Sequence, residues 1–475
     1  MFPPRFSAGE EIRKQFISGK KVMSNKLQHK LFWNWDHSTN WKLNVNGIQN
    51  TGVGNYYTKA PEVFETDFKR MVDFAAANGI DAIGVVGLLR ECHGGEFAAR
   101  RLCTYAREKG VRIYIIAGLY SYGGLFYEGD HPLSLETFLA KNPECIGRNI
   151  GGDKTVVPRT DKHNKIEYCG CPSSKTLNNY ILDCLDLLFR MIPDLGGIQM
   201  EAGDSWLGLC HCDKCRERRE AMKADKYRSP AFYFADMANI YPQAGEVVRT
   251  SNPNAWVICE MYGHFRNNPA FFDANNPAIK ELTKMPDSTF LQWGDRRLDY
   301  DAWAKDPLLP EHLRKFQHIF RCHHSTQWAG GRHTLAVEEV RRQCEMAYRS
   351  GMQSVSMFGE CSPFNSTSEF NYLALNYFGD NPLNSTDDFA RDVMADLLGG
   401  NSDHARSFLQ FGVLTKTPEK IPAAVQEIVK ITAGIKDNDA LRRWLYLANF
   451  LNSYYWEFMH ENRAASAQKL NLDMV

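Results

Sequence analysis

Short apolar runs alternate with amphipathic stretches along most of the first 380 residues. Each run is rich in β-branched and aromatic residues, is bounded by Gly, Pro or Asn, and is too short for a core helix. The runs cover residues 30–37, 81–89, 111–120, 196–204, 255–264, 289–295, 318–324 and 353–360. Each of them is predicted to form a β-strand.

Amphipathic stretches between these runs predict helices. In residues 64–79 the apolar positions recur at helical spacing, and Gly79 closes the stretch. The same design recurs at 95–110, 176–192, 229–248 and 336–351. Eight strands alternating with helices are typical of a (β/α)₈ TIM barrel of the α/β class. A doubly wound sheet is the alternative, but the glycine-rich phosphate turn that usually follows its first strand is missing here.

Two segments depart from the alternation. The connection from Ser121 to Ser174 is much longer than most βα loops, and such loops are usually functional or contain small elements. From residue 381 the pattern is purely helical. We therefore predict an N-terminal extension (1–29), a catalytic barrel (30–380) and a C-terminal, mostly helical region (381–475). The aromatic last helix either packs on the barrel or forms a homodimer face.

Charge and composition limit the kinds of molecule that the chain is expected to bind. Lys+Arg and Asp+Glu both number 56, so the chain has no net charge for binding nucleic acid or an anionic membrane. No apolar run reaches the 18 residues of a membrane span. The first residues lack the apolar stretch of a secretory signal, which predicts a cytoplasmic protein. The 13 cysteines are then mostly reduced thiols.

Catalytic groups of a barrel lie at the C-terminal ends of its strands. Six of the eight predicted ends carry a carboxylate, which is costly at a buried position unless it is paired or used. The sixth carboxylate, beside Asp36, Glu201, Glu260, Asp295 and Glu360, is Glu91 after strand two. The candidate site residues at the strand ends are Trp35, Asp36, His37, Glu201, Glu260, Trp293, Asp295, Arg321, His323, His324 and Glu360. Paired carboxylates beside tryptophan platforms indicate glycoside hydrolysis.

The long third loop adds Arg159 and His163 to the same end of the barrel. Arginine binds carboxylates through two parallel hydrogen bonds, so a cationic rim suits an acidic carbohydrate. Histidine exchanges protons near neutral pH. For each arginine the alternative is an ion pair with a neighbouring Asp or Glu.

The Trp35-Asp36-His37 motif at strand one, together with the long loop carrying Arg159 and His163, resembles the inverting exo-sialidases of glycoside hydrolase family 156. The resemblance implies an exo-α-sialidase on a (β/α)₈ barrel, often dimeric, that releases terminal sialic acid from a sialylated glycan. It also implies that Asp36 and His163 are catalytic and that Arg159 binds the sialic carboxylate. No cofactor is expected for catalysis.

Three other functions fit the same residues. A barrel glycosidase acting on N-acetylhexosaminides or uronides would use Glu201 as general acid and Glu260 as base or nucleophile. A metal-dependent sugar isomerase or aldolase would use Glu201, Glu260, His264 and Asp295 as ligands, although no spaced ligand motif is present. A carbohydrate-binding barrel without activity is the third alternative.

A cysteine cluster follows strand four. Cys210, Cys212 and Cys215 are closely spaced, and Cys169 and Cys171 lie in the preceding loop. Three or four thiolates at such spacing suit tetrahedral zinc. An all-sulfur site leaves no open position for water, so any zinc is expected to be structural. Packed free thiols are the alternative.

Overall fold

Eight parallel strands close into a barrel in the order of the chain. The computed structural model describes residues 26–35, 61–126, 131–154, 168–201, 210–223, 234–261, 269–295, 309–325, 334–358, 363 and 365–472. The strands are β1 (His29–Trp35), β2 (Ala82–Val86), β3 (Arg112–Gly118), β4 (Gly197–Glu201), β5 (Trp256–Glu260), β6 (Phe290–Asp295), β7 (Gln317–Cys322) and β8 (Ser354–Phe358). Every predicted run overlaps one strand, and the predicted TIM barrel is confirmed.

Helices surround the barrel and continue beyond it. The α-helices are α1 (Pro61–Ala77), α2 (Gly95–Glu108), α3 (Leu135–Lys141), α4 (Lys175–Met191), α5 (Asp213–Met222), α6 (Phe234–Ser251), α7 (Pro277–Leu282), α8 (Val337–Arg349), α9 (Ser366–Asp380), α10 (Thr386–Phe389), α11 (Ala395–Leu397), α12 (Ser402–Gly412), α13 (Ile421–Thr432) and α14 (Asn438–Leu472). Polar side chains cap several of them. Ser174, for example, accepts a hydrogen bond from the Leu177 N–H at the start of α4.

Two apolar layers hold this architecture together. Successive side chains of a strand point to opposite faces, so alternate residues fill the barrel and pack beneath the helices. In β1, Leu31, Trp33 and Trp35 belong to the interior cluster, whereas Phe32 belongs to the layer under the helices. This alternation decides which side chains near the strand ends reach a substrate.

The long connection after β3 contains small elements, as its length suggested. A 3₁₀ turn (Gly124–Phe126) and α3 come first, and an antiparallel bridge then joins Ile146 to Gly170. The loop therefore returns to the barrel and packs against its own start before α4 begins.

The helical C-terminal region is packed onto the barrel. Trp444, Leu447 and Leu451 of α14 are fully buried. Arg443 of the same helix forms a two-pronged ion pair with Glu369 of α9. Trp456 is 65% exposed, so the aromatic residues farther along α14 are only partly covered. A homodimer through this helix stays a prediction.

Helix α14 is long, but it is amphipathic. Among the described helices, none combines the length with the hydrophobicity needed to cross a membrane.

Candidate active site

Two carboxylates end neighbouring strands of the barrel. Glu201 is the last residue of β4, and Glu260 is the last residue of β5. The amide nitrogen of Gln199 donates to Glu201 Oε1 at 2.7 Å and lies 3.5 Å from Glu260 Oε2. Glu201 is partly exposed, whereas Glu260 and Gln199 are fully buried. One buried amide thus connects an accessible carboxylate to an inaccessible one.

Glu260 is also held from the other side of the barrel. Its Oε2 accepts a hydrogen bond from Gln292 Nε2 at 2.6 Å and lies 3.2 Å from Arg321 Nε. Arg321 Nη1 donates to His323 Nε2 at 2.5 Å, so this histidine carries its proton on Nδ1. Glu260 therefore balances the positive charge of Arg321. For this arginine, the alternative stated from the sequence, an ion pair with a neighbouring carboxylate, is what the structure contains.

The geometry limits how far apart the two carboxylates lie. Because both oxygens contact the Gln199 nitrogen, the sum of the two distances, about 6.2 Å, is the largest separation between Glu201 Oε1 and Glu260 Oε2. Inverting glycosidases separate their carboxyl groups by roughly 6.5–9.5 Å to admit a water. The limit for this one pair of oxygens lies just below that range.

An aromatic wall faces these charges. The rings of Trp33 and Trp35 meet edge to face with centroids 5.4 Å apart, and Phe358 lies 4.0 Å from Trp33. The guanidinium of Arg321 lies 5.7 Å from the centre of the Trp33 ring, and His323 contacts Phe358. Apolar faces beside a few polar groups are typical of small-molecule sites.

Several buried polar atoms in this interior have no hydrogen-bond partner within the described residues. They include Trp33 Nε1, Gln199 Oε1 and Gln292 Oε1. Unsatisfied buried groups cost free energy unless a water or ligand satisfies them. A water or a polar ligand in the interior of the barrel would satisfy these three groups.

Tyr114 forms part of the floor of the site. A Cβ at position 84 would lie 2.3 Å from the Tyr114 ring, so only a glycine at this position of β2 admits the ring. Burial raises the pKa of Tyr114 well above its usual range. The phenol therefore stays protonated as a neutral hydrogen-bonding group.

The strand ends are fixed from outside the barrel as well. Tyr241 of α6 is fully buried, and its hydroxyl lies 2.9 Å from the backbone oxygens of both Met200 and Glu260. At the mouth, Tyr122 and Ser325 have positive φ angles of 54° and 55°. Left-handed backbone at non-glycine residues concentrates at functional sites.

Trp293 and His324 were expected at the mouth, but the structure places both of them behind the strands. Trp293 is fully buried in the layer under the helices, where it packs against Phe271. His324 lies near Gln343 and Glu339 of α8, and burial lowers its pKa to about 4. Strand alternation explains both positions, because each is next to a residue that points inward.

His318 makes the stability of the barrel depend on pH. The ring is fully buried, accepts a hydrogen bond from Trp293 Nε1 at 2.9 Å and donates to the Leu313 oxygen at 2.8 Å. Burial lowers its pKa to about 4. Because the unfolded chain takes up the proton at higher pH than the folded chain, stability is lost as pH falls from about 6.5 towards about 4.

We expect His318 to account for about 2 kcal/mol of lost unfolding free energy between pH 7 and pH 5. Urea unfolding at both pH values measures this loss in the wild type, in His318→Gln and in the exposed control His460→Gln. The loss should shrink only in His318→Gln. An unchanged pH dependence in that variant would contradict the assignment.

Six further predicted residues cannot be placed in this site. Asp36, His37, Arg159, His163 and Glu360 lie outside the described residues. Asp295 ends β6, but its side chain also lies outside them. Gln199, Gln292 and Tyr114 were not predicted. In the sequence, each of them is marked only by a polar group inside an apolar run, and this pattern does not by itself indicate a catalytic site.

The cysteine cluster forms a compact group beside the mouth. The sulfurs of Cys171, Cys210, Cys212 and Cys215 all lie within 4.8 Å of one another. Hydrogen bonds from Cys171 and Cys210, together with Ser173 and the charge of Arg218, hold the pKa of Cys215 far below its usual range. Within the part of the chain that the structure describes, this is the one group of side chains arranged to hold a metal ion.

Comparison with known proteins supports the fold. No protein-family model matches the sequence, and no curated protein matches it. A GH138 enzyme targeting pectin rhamnogalacturonan II is 10% identical with a TM-score of 0.51, over 90% of this chain and 56% of that chain. A β-N-acetylhexosaminidase is 11% identical with a TM-score of 0.44, over 78% of this chain and 76% of that chain. A β-galactosidase from the psychrophilic Marinomonas ef1 is 8% identical with a TM-score of 0.44, over 80% of this chain and 61% of that chain. The chain thus spans little more than half the length of the GH138 enzyme, and the likeness concerns the barrel fold.

Proposed function

We propose that this protein is a glycoside hydrolase in which Glu201 is the proton donor. The observation that carries the proposal is the partly exposed Glu201 carboxylate, oriented by Gln199 beside an aromatic wall and unsatisfied polar atoms. Glycoside hydrolysis needs a carboxylic acid at the leaving oxygen and apolar surface for the sugar ring. The GH138 enzyme has the same barrel fold, so this architecture is compatible with glycoside chemistry.

Glu260 is a positioning residue in this proposal. It is fully buried, and one of its oxygens is occupied by Gln199, Gln292 and Arg321. It therefore does not touch a sugar that lies at the mouth. Its negative charge fixes the Gln199 amide, and this amide fixes the carboxylate of Glu201. The sequence had suggested a base or nucleophile at this position.

In the reaction, Glu201 gives its proton to the glycosidic oxygen as the bond to the anomeric carbon breaks. Positive charge then develops on the sugar ring. The fixed charge of Glu260 lies close enough to stabilise it, since both carboxylates contact one nitrogen. The base that activates water in an inverting reaction is assigned to another residue, because Glu260 is fully buried and held by Gln292 and Arg321.

The finer proposal is an inverting exo-α-sialidase in which Asp36 and His163 are catalytic and Arg159 binds the carboxylate. Its support is the resemblance of the strand-one motif and third loop to that family. Because Arg321 is paired with Glu260, an acidic sugar depends on Arg159 for its counter-charge.

The isomerase or aldolase alternative is weakened by the same contacts. A divalent cation coordinated by Glu260 would share that carboxylate with the guanidinium of Arg321, whose Nε lies 3.2 Å from Oε2. Two cations that share one buried carboxylate repel each other strongly. The hydrolase therefore fits the described residues better.

A panel of aryl glycosides tests the function. It contains an α-sialoside, a β-N-acetylhexosaminide, a β-uronide and a neutral galactoside. Turnover of any member supports a hydrolase, and turnover of none of them contradicts it. Proton NMR of the first anomer then separates the mechanisms. An inverted sialic acid supports the finer proposal, whereas turnover of the hexosaminide or uronide alone removes it.

A further inference from the structure

The arrangement of four cysteine sulfurs matches the coordination shell of a single metal ion. Cys171 Sγ lies 3.7 Å from Cys212 Sγ, 3.7 Å from Cys215 Sγ and 3.5 Å from Cys210 Sγ. A zinc ion bound by thiolates at about 2.3 Å places neighbouring sulfurs roughly 3.8 Å apart at the corners of a tetrahedron. Disulfide-bonded sulfurs lie about 2.05 Å apart. The observed spacing is that of four separate thiolates around one centre.

The surroundings of the sulfurs favour negative charge. The backbone N–H of Arg148 donates to Cys210 Sγ at 3.4 Å, and the hydroxyl of Ser173 lies 3.1 Å from Cys215 Sγ. The guanidinium of Arg218 lies 3.6 Å from the same sulfur. Four thiolates around a divalent ion leave two excess negative charges, which these donors help to balance. Hydrogen bonds of this kind also orient metal ligands.

The cluster joins two loops at the catalytic face. Cys171 ends the long loop after β3, and the other three cysteines lie in the segment that precedes and begins α5. Backbone hydrogen bonds reinforce the junction, since the His211 N–H donates to the Arg148 oxygen at 2.6 Å and the Gly147 N–H donates to the Cys169 oxygen at 2.7 Å. In the chain, Cys210 follows Glu201 by nine residues.

We propose that Cys171, Cys210, Cys212 and Cys215 bind one structural zinc ion that ties the loop after β3 to the loop after β4. Sulfur fills all four positions, so no position is left for a catalytic water. The zinc holds in place the chain segments on both sides of β4, and with them the surroundings of Glu201. Cys169 is not a ligand, because its side chain belongs to the interior apolar cluster.

Metal analysis of the full chain, purified without added metal, tests the site. We expect about one zinc per chain. Replacing the zinc by cobalt should give the intense visible absorption of tetrahedral thiolate-bound Co²⁺, which free thiols do not produce. The Cys212→Ala substitution should weaken zinc binding by more than about 100-fold and lower the melting temperature. Cys103→Ala is the matched control, because that thiol is buried in α2, far along the chain from the cluster.

The outcomes separate the proposal from its alternatives. If the chain binds no metal and Cys212→Ala melts like Cys103→Ala, the cysteines are packed thiols and the proposal is wrong. One equivalent of iron in place of zinc overturns the choice of ion. A shift of the pH–rate profile when cobalt replaces zinc, in protein that keeps its folded circular dichroism, overturns the structural role. If Cys212→Ala does not fold, zinc release from the wild type on thiol modification still measures the number of ligands.

Discussion

Replacing Glu201 by Gln is expected to lower kcat by about 10²- to 10⁴-fold, the usual contribution of a general acid. The substitution keeps the size of the side chain and removes its proton-donating group. The melting temperature should change little, since Glu201 is partly exposed. Steady-state kinetics on the substrate found by the panel measure the effect. Glu108→Gln is the matched control, because Glu108 is an exposed residue at the end of α2.

The same assay decides between the two catalytic hypotheses. If Asp36→Asn and His163→Ala each abolish turnover of a sialoside while Glu201→Gln remains near wild type, then Glu201 is not the proton donor. The reverse result removes the sialidase assignment of Asp36 and His163.

Arg159→Ala should mainly raise KM on an acidic sugar, because a carboxylate clamp binds ground state and transition state alike.

A positioning role for Glu260 has its own signature. Glu260→Gln removes a negative charge close to Glu201, so Glu201 should lose its proton more easily. We expect the alkaline limb of the pH–rate profile to move to lower pH, in addition to any loss of stability from the unpaired Arg321. A purely structural role would lower stability and leave the profile in place.

The fold was readable from the sequence because the strands of a closed parallel barrel are buried on both faces. Such strands appear as uninterrupted apolar runs, and the polar helices between them make each run distinct. The position of the site at the strand ends could be predicted from the sequence for a related reason. Glu201, Glu260 and Arg321 follow apolar runs, and the closed barrel brings the ends of these runs together.

The details of the site depend on which face of the strand a residue occupies. Trp293 follows Gln292 in β6, so a shift of one position moves the side chain from the interior to the layer under the helices. The strand bounds read from sequence are not accurate to one residue. Gln199 and Gln292 were overlooked because an amide inside an apolar run carries no catalytic signal of its own. Their function emerges only when both nitrogens meet one carboxylate.

Arg443→Met is expected to lower the unfolding free energy by about 3 kcal/mol, the lower end for breaking a buried ion pair. Arg443 binds both oxygens of Glu369, at 3.0 Å and 2.7 Å, and donates to the Leu397 oxygen at 3.0 Å. Without it, the ion-pair partner left to the buried Glu369 carboxylate among the described residues is Arg442, which lies 3.5 Å away.

Chemical denaturation measures this loss, with Arg406→Met as the control for an exposed ion pair with Asp403. The control should change stability by less than about 1 kcal/mol. The double variant Arg443→Met with Glu369→Leu should recover most of the loss, because an apolar pair of similar volume avoids the cost of an unpaired buried charge. If Arg443→Met unfolds like the Arg406 control, the C-terminal helices do not depend on this contact with the barrel. Recovery in the double variant would show that the loss in Arg443→Met comes from the unpaired buried charge of Glu369.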